Sequence, residues 1–307
     1  MAALVISPLV EVFRWSLQPI APFTWFGFPI STLDVVATFR LCLVLRQIRE
    51  LIQSTHIAKK LPGEIEEQSF AKRLATTLLV VYGGEAITAP MLGIPPSFMV
   101  SGIVPAMYAT VQAIVDALPS VPEISAQLEI PLSIVDGITR AYLLCNLIPP
   151  TVTTNSSSLI ASSPWTLLVT SLITANAGFF FVNLFSFLNP TPLTVQTPPE
   201  LKAYGWTTTD LWCAPAGTAL YALLTHAQPF WADLHILIYE ALLGSGATQV
   251  QSEKPTGVQP VDPETARAIV AVLLSGLFVG KTAKNFGLWP QPVVKAAKKV
   301  KAKAKTQ

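Results

Sequence analysis

Charge is scarce in this chain. Only 12% of its 307 residues are Asp, Glu, Lys or Arg, about half the ~25% usual in soluble domains. A soluble globular protein is thereby excluded, and 51% hydrophobic residues with a mean hydropathy of +0.51 point to an integral membrane protein. Period-two alternation is missing from the long apolar runs, so helices rather than a β-barrel are the expected spanning element. Cysteine is rare too. Cys42, Cys145 and Cys213 form an odd, scattered set with no metal or redox spacing, and they read as buried thiols. His56, His226 and His235 lie in or near loops without metal-ligand spacing. No phosphate-cradling glycine loop, nucleophile elbow or clustered His, Asp and Glu is present, so an enzyme, a metal, a catalytic cofactor or a nucleic-acid partner is not expected. No clear signal peptide precedes the chain's first span, because Arg14 follows a short apolar start without a small-residue cleavage site.

A membrane helix needs about 20 mainly apolar residues. Seven segments qualify: about Pro29 to Leu45, Leu74 to Gly93, Ser97 to Leu118, Leu128 to Leu147, Trp165 to Leu188, Leu211 to Ala227, and Thr265 to Lys284. Trp231 to Leu243 is too short to span and reads as an interfacial helix. The expected fold is an all-α integral membrane protein of seven transmembrane helices. Residues 1–28 form an N-terminal interfacial segment, 29–288 the membrane domain with a luminal insertion at about 228–262, and 289–307 a lysine-rich tail.

Charge placement orients this bundle. Arg46, Arg49, Lys59, Lys60, Lys72 and Arg73 crowd the first loop, and Lys295, Lys298, Lys299, Lys301, Lys303 and Lys305 the tail. Positive loops stay cytoplasmic, and seven spans put both clusters on one side. The N-terminus is then luminal, as is the Asn155-Ser156-Ser157 sequon, a glycosylation candidate.

Glycine and proline interrupt two spans, at Gly83-Gly84 with Pro90 and at Ala175-Asn176-Ala177-Gly178. These are the central members of two successive three-span sets. Such sets are necessarily inverted, and breaks at matching positions of inverted halves point to a site near the midplane.

Polar residues within the spans are the chemistry-bearing set. Glu85 follows the glycine pair inside a long apolar run, where an acidic side chain costs roughly 2.5–3.5 kcal/mol and usually faces protein or water. It is either a pore carboxylate or half of a buried ion pair, and as a pore group its neutralisation would lower cation conductance. Asn176 and Asn183, two turns apart, either bond between helices or line the same path. Asp34 and Arg40 do not share a face, and Arg40 is expected to snorkel toward the basic loop. Asp136 and Arg140 are one turn apart and read as an intrahelical pair, with a headgroup or pore role as the other option. Lys281 and Lys284 end the seventh span, where snorkelling is the default, and the lysine tail is expected to touch anionic lipid.

On these residues the chain resembles the trimeric intracellular cation (TRIC) channels. Asp34 through Arg46 is similar to that family's first span, Tyr82-Gly83-Gly84 through Gly93-Ile94-Pro95 to its kinked second span, Thr170 through Asn183 to its fifth, and Ala266 through Lys284 to its seventh. Animal members carry a Lys-Glu-Val-x-Arg-x-x-Lys motif that holds a phosphoinositide. The matching stretch here, Asp136 to Leu143, fits at Ile138, Thr139 and Arg140 but lacks both lysines, and Thr174 or a neighbour replaces the family's fifth-span lysine. The resemblance implies two inverted three-helix repeats plus a seventh helix, and a homotrimer with one pore per subunit. It implies a potassium or monovalent cation channel of the endoplasmic reticulum or nuclear membrane, giving counter-ion flux during calcium release. Gly83, Gly84, Glu85, Asn176, Gly178 and Asn183 are the expected ion path. Asp136, Thr139, Arg140 and Lys281 are the expected helix-pairing or lipid residues, and no cofactor beyond bound lipid is expected. The alternatives are a non-conducting scaffold or tether, which would leave these polar groups paired and dry, and a secondary transporter.

Overall fold

A computed structural model describes residues 2–20, 30–202, 208–243 and 258–288. The lysine tail, most of the aromatic segment from Pro19 to Pro29, and residues 244–257 of the expected luminal insertion lie outside the described residues. Among the described residues the secondary structure is helical, without a β-strand. Thirteen α-helices follow one another: α1 (Ala2–Ser16), α2 (Thr32–Ala58), α3 (Phe70–Tyr82), α4 (Glu85–Met91), α5 (Ser97–Val100), α6 (Ile103–Ala117), α7 (Ala126–Tyr142), α8 (Ile148–Thr153), α9 (Ser158–Ala161), α10 (Pro164–Leu184), α11 (Thr209–Thr225), α12 (Pro229–Leu243) and α13 (Pro263–Asn285). A π-helical turn, Leu143–Leu147, joins α7 to α8.

Local sequence sets the helix starts. Ser31 and Asp34 form a reciprocal capping box on α2, each side chain bonding the other's backbone N–H. Ser163 and Asp262 cap α10 and α13, each followed by a proline at the first helical position, where its missing N–H costs nothing.

Among the described residues two helices, α10 and α13, are long and apolar enough to cross a membrane; α3 and α4 together make a third such segment, bent by 43°. All seven apolar segments fall on helices, but α2 carries Asp34, Arg40, Arg46, Arg49 and Glu50 along its 27 residues and does not read as a continuous apolar span. The expected break in the fifth segment is absent, because α10 runs without interruption from Pro164 to Leu184. The interrupted helices are instead α3–α4 and α7–α8, so the breaks do not fall at matching positions of two halves.

Helix α10 is central, touching α3, α4, α8 and α11, while α7 lies along α13. Small residues permit both crossings. A Cβ at Gly137 would sit 2.5 Å from the backbone nitrogen of Ser275, and one at Gly178 would sit 2.2 Å from the carbonyl oxygen of Val80. These helices meet backbone to backbone, the geometry small residues allow where no water drives association. The N-terminal α1 joins the bundle through α13. Phe13 is fully buried beneath the Arg267 guanidinium, 4.5 Å from its ring centre, and Arg14 pairs with Glu264 at 2.7 Å. All three cysteines are buried free thiols.

Candidate functional site: a charged cavity within the helical bundle

Helices α2, α7, α10, α11 and α13 and the 186–202 segment line a partly open cavity of about 790 Å³. Its wall carries four bases, Arg40, Arg140, Lys202 and Lys281, and four acids, Glu129, Asp136, Glu200 and Asp210. Ionisable side chains at this density are expensive inside an apolar bundle unless they pair or meet water.

Arg40 is the hub. Its guanidinium binds Asp136 in a two-pronged contact, Nε to Oδ1 and Nη2 to Oδ2, both at 3.2 Å, while Nη2 also donates to Glu129 Oε2 at 2.9 Å. The planar fork suits this arrangement, and a lysine could not reproduce it. Ser133 packs beneath, donating to the Glu129 carbonyl at 2.7 Å and lying 2.7 Å from the Thr282 hydroxyl on α13. Lys281 of α13 pairs with Asp210 of α11. Arg140 donates to the Ala175 carbonyl of α10 at 2.7 Å, and among the described residues no ion pair joins it to a carboxylate. Asn183 donates to Glu200 Oε1 at 3.2 Å, whereas Asn176 spends its amide on the Leu172 carbonyl at 2.8 Å and, more weakly, on Leu211 at 3.4 Å. Three buried atoms of these wall residues have no partner among the described residues: Arg40 Nη1, Glu129 Oε1 and Glu200 Oε2.

The structure thus gathers Asn176, Asn183, Asp136, Thr139, Arg140 and Lys281 on one cavity. Three pairings differ from expectation. Asp136 does not pair with Arg140 one turn on; it turns across to Arg40, and Arg140 turns to α10. Arg40 does not snorkel out, since its side chain is 11% exposed. Lys281 is held by Asp210 rather than reaching for the interface.

Glu85 is not on this cavity. Both of its carboxylate oxygens are taken by Ser97, the backbone N–H at 2.5 Å and the hydroxyl at 2.8 Å. The turn that brings Ser97 back passes through Gly93 at φ +71°, a conformation glycine adopts without strain. Glu85 therefore closes the α4–α5 turn. The adjoining glycines lie at the 43° bend between α3 and α4, as their sequence suggested, and they also admit a neighbour: Gly84 lies against the Ile173 and Thr174 carbonyls of α10, and its own carbonyl accepts from Ile87, Thr88 and the Thr88 hydroxyl, so it is not freed for an ion. Gly178 fills the reciprocal position on α10. Glu85→Gln is expected to leave any ion flux unchanged and to cost about 1 kcal/mol of stability through a weakened cap, read as a lower melting temperature beside parent-like flux. A change in flux at parent-like stability would return Glu85 to the path.

The Asn155 amide donates to the Leu92 carbonyl at 2.8 Å, and its oxygen accepts from Ser157 N–H at 2.9 Å. The sequon is therefore a structured turn bound to the end of α4.

A second cavity, of about 510 Å³, lies among Arg46, Arg49, Arg73, Glu66 and Asp116. Arg49 and Arg73 converge on Asp116 at 3.4 and 2.8 Å, and Gln112 adds a bond at 2.9 Å. Arg46 crosses to the carbonyls of Val115 and Leu118. The basic cluster is thus partly a built network tying α2, α3 and α6. Leu188, 6% exposed, contributes to the walls of both cavities.

Sequence reasoning passed over Glu129, Glu200 and Asp210. The available signal was the presence of both charge signs in weakly apolar helix ends, which ordinary span-finding discards. Among the described residues no group of three or more His, Cys, Asp or Glu gathers as a metal site. Comparison of the chain with known protein families, with curated proteins and with solved structures finds no match in any of the three.

Proposed function

We propose that this protein is a seven-span membrane channel for small monovalent cations, of the TRIC type that its sequence resembles, and that ions pass through the charged cavity. The carrying observation is that cavity: partly buried ionisable side chains face it, and two carboxylate oxygens, on Glu129 and Glu200, have no partner among the described residues. Equal numbers of acids and bases make the wall formally neutral. Cation preference in this reading rests on those two oxygens, because Arg40 is neutralised by two acids and Arg140 is turned onto a carbonyl.

The path in this proposal runs from the larger cavity past Leu188 into the arginine-lined one. Leu188 packs with Leu45 and Val182, and an apolar constriction between two polar chambers can gate by dewetting. The further parts of the proposal are seven spans, a luminal N-terminus, a homotrimer and an endoplasmic reticulum or nuclear membrane location. The charge pattern supports the first two and the resemblance the others.

The test is recording from purified protein in planar bilayers under a potassium chloride gradient. A reversal potential near that of potassium is expected. Glu200→Gln should move it toward zero, and Leu188→Ser should raise the current several-fold. A reversal set by chloride would sink the cation reading, and silence in every variant would leave the scaffold. The formally balanced wall also favours a second reading, a transporter for a solute bearing both charges; flux that saturates with solute concentration would identify it.

A further inference from the structure

His226 and His235 meet where α11 ends and α12 begins to run away from it. His226 Nε2 lies 2.9 Å from His235 Nδ1, with the rings at 83° and their centres 5.1 Å apart. Both side chains are half-buried, neither wholly enclosed nor free. The backbone holds each in place. His226 is the C-cap of α11 in the left-handed conformation, φ 55° and ψ 43°, and the following Ala227 N–H returns to the Ala222 carbonyl. His235 sits mid-helix in α12, whose start is tied down by Gln228. That side chain donates to the Ala161 and Ser163 carbonyls at 2.7 and 3.2 Å and accepts from the buried Trp231 indole at 3.0 Å. Beyond His235, Leu237 and Leu242 of α12 are exposed.

We propose that His226 and His235 form a binding site for a divalent transition metal ion, Cu²⁺ being the best fit, which pins α12 to the end of α11. Imidazole nitrogens bind such ions at about 2.0–2.1 Å. Two of these bonds at a right angle set the nitrogens about 2.9 Å apart, the cis spacing of the tetragonal sites Cu²⁺ prefers; a tetrahedral ion would need about 3.3 Å. The observed separation therefore requires only that both rings tilt so their lone pairs converge. One of the facing nitrogens now carries the shared proton. On metal binding that proton moves to the other nitrogen of the same ring, so both facing nitrogens present lone pairs and no net proton is lost. Water completes the coordination, in keeping with a site of two protein ligands. The site is separate from the charged cavity and does not depend on the channel reading.

The test is titration of the purified full-length protein with Cu²⁺ at pH 7.5, followed by calorimetry and electron paramagnetic resonance. One equivalent should bind with a two-nitrogen imidazole signature. His226→Asn keeps a residue that tolerates the left-handed conformation, and His235→Gln keeps a hydrogen-bonding side chain; each should weaken binding about tenfold or more. Cu²⁺ should raise the melting temperature of the parent and of neither variant. Absence of the two-nitrogen signature in the parent would overturn the proposal without recourse to variants. So would undiminished binding in both variants, or loss of binding with His56→Gln alone.

Discussion

Arg40→Met is expected to be the most damaging single substitution in the charged cavity, lowering stability by about 3–5 kcal/mol. The reason is asymmetric. Arg40 reaches both Glu129 and Asp136, and the Glu129 side chain is only 14% exposed. Removing the guanidinium leaves the largely buried Glu129 without its cation and beside a second carboxylate, Asp136, whose side chain is 39% exposed and adds repulsion more than desolvation. The intact cluster is worth far less than this loss, because an ion pair taken out of water roughly breaks even against apolar residues of the same volume. Two companion variants separate these contributions. Arg40→Lys keeps the charge but not the fork, and should recover only part of the loss. The triple replacement Arg40→Met, Glu129→Gln, Asp136→Asn removes every charge at once and should recover most of it. Thermal unfolding in detergent micelles reads all three. If Arg40→Met melts with the parent, the cluster is too hydrated to matter, and the wall should then be treated as open solvent.

What was legible in the sequence, and what was not, follows from the range of each interaction. Long apolar runs are local signals, so Trp165 to Leu188 and Thr265 to Lys284 placed α10 and α13 to within a few residues at each end. The polar residues Asn176, Asn183, Asp136, Thr139, Arg140 and Lys281 stood out one by one against apolar surroundings, and they share one cavity. Their partners were not legible. Periodicity exposes only neighbours one turn away, which is why Asp136 was matched to Arg140, whereas its actual partner Arg40 lies 96 residues earlier and that of Lys281 lies 71 residues away. Glu85 misled for a different reason. An acidic side chain is costly in the middle of a straight span, but the chain bends there by 43° and turns back at Gly93, so a nearby Ser97 satisfies the carboxylate. Of the glycines, Gly83-Gly84 marks a real bend whereas Gly178 lies inside the continuous α10, because composition does not distinguish a glycine that bends a helix from one that admits a neighbour.

That last distinction yields the second large effect. Gly178→Ala is expected to destabilise the protein by about 1–3 kcal/mol or more, although alanine is the better helix former by roughly 1 kcal/mol. The new Cβ would lie 2.2 and 2.6 Å from the Val80 and Leu79 carbonyl oxygens. These are backbone atoms inside α3, and they cannot yield singly as a flexible side chain would; the whole of α3 has to move away from α10. Gly84→Ala meets the same obstacle from the other side, with the Thr174 carbonyl 2.3 Å from its Cβ. Gly280 on α13 supplies the opposite case, having nothing within 4 Å of an added Cβ. Gly280→Ala should therefore gain up to about 1 kcal/mol from propensity alone. Melting temperatures that fall for Gly178→Ala and rise for Gly280→Ala identify crossing contact as the cause; a rise in both would mean that α3 and α10 are not packed backbone to backbone. The two variants also differ in reach. Asn176 and Asn183 sit on α10, two residues before and five after Gly178, so a helix pushed off α3 carries both cavity-lining amides with it. Gly178→Ala should accordingly alter flux through the cavity even where the protein stays folded, whereas Glu85→Gln, which touches only the α4–α5 turn, should not.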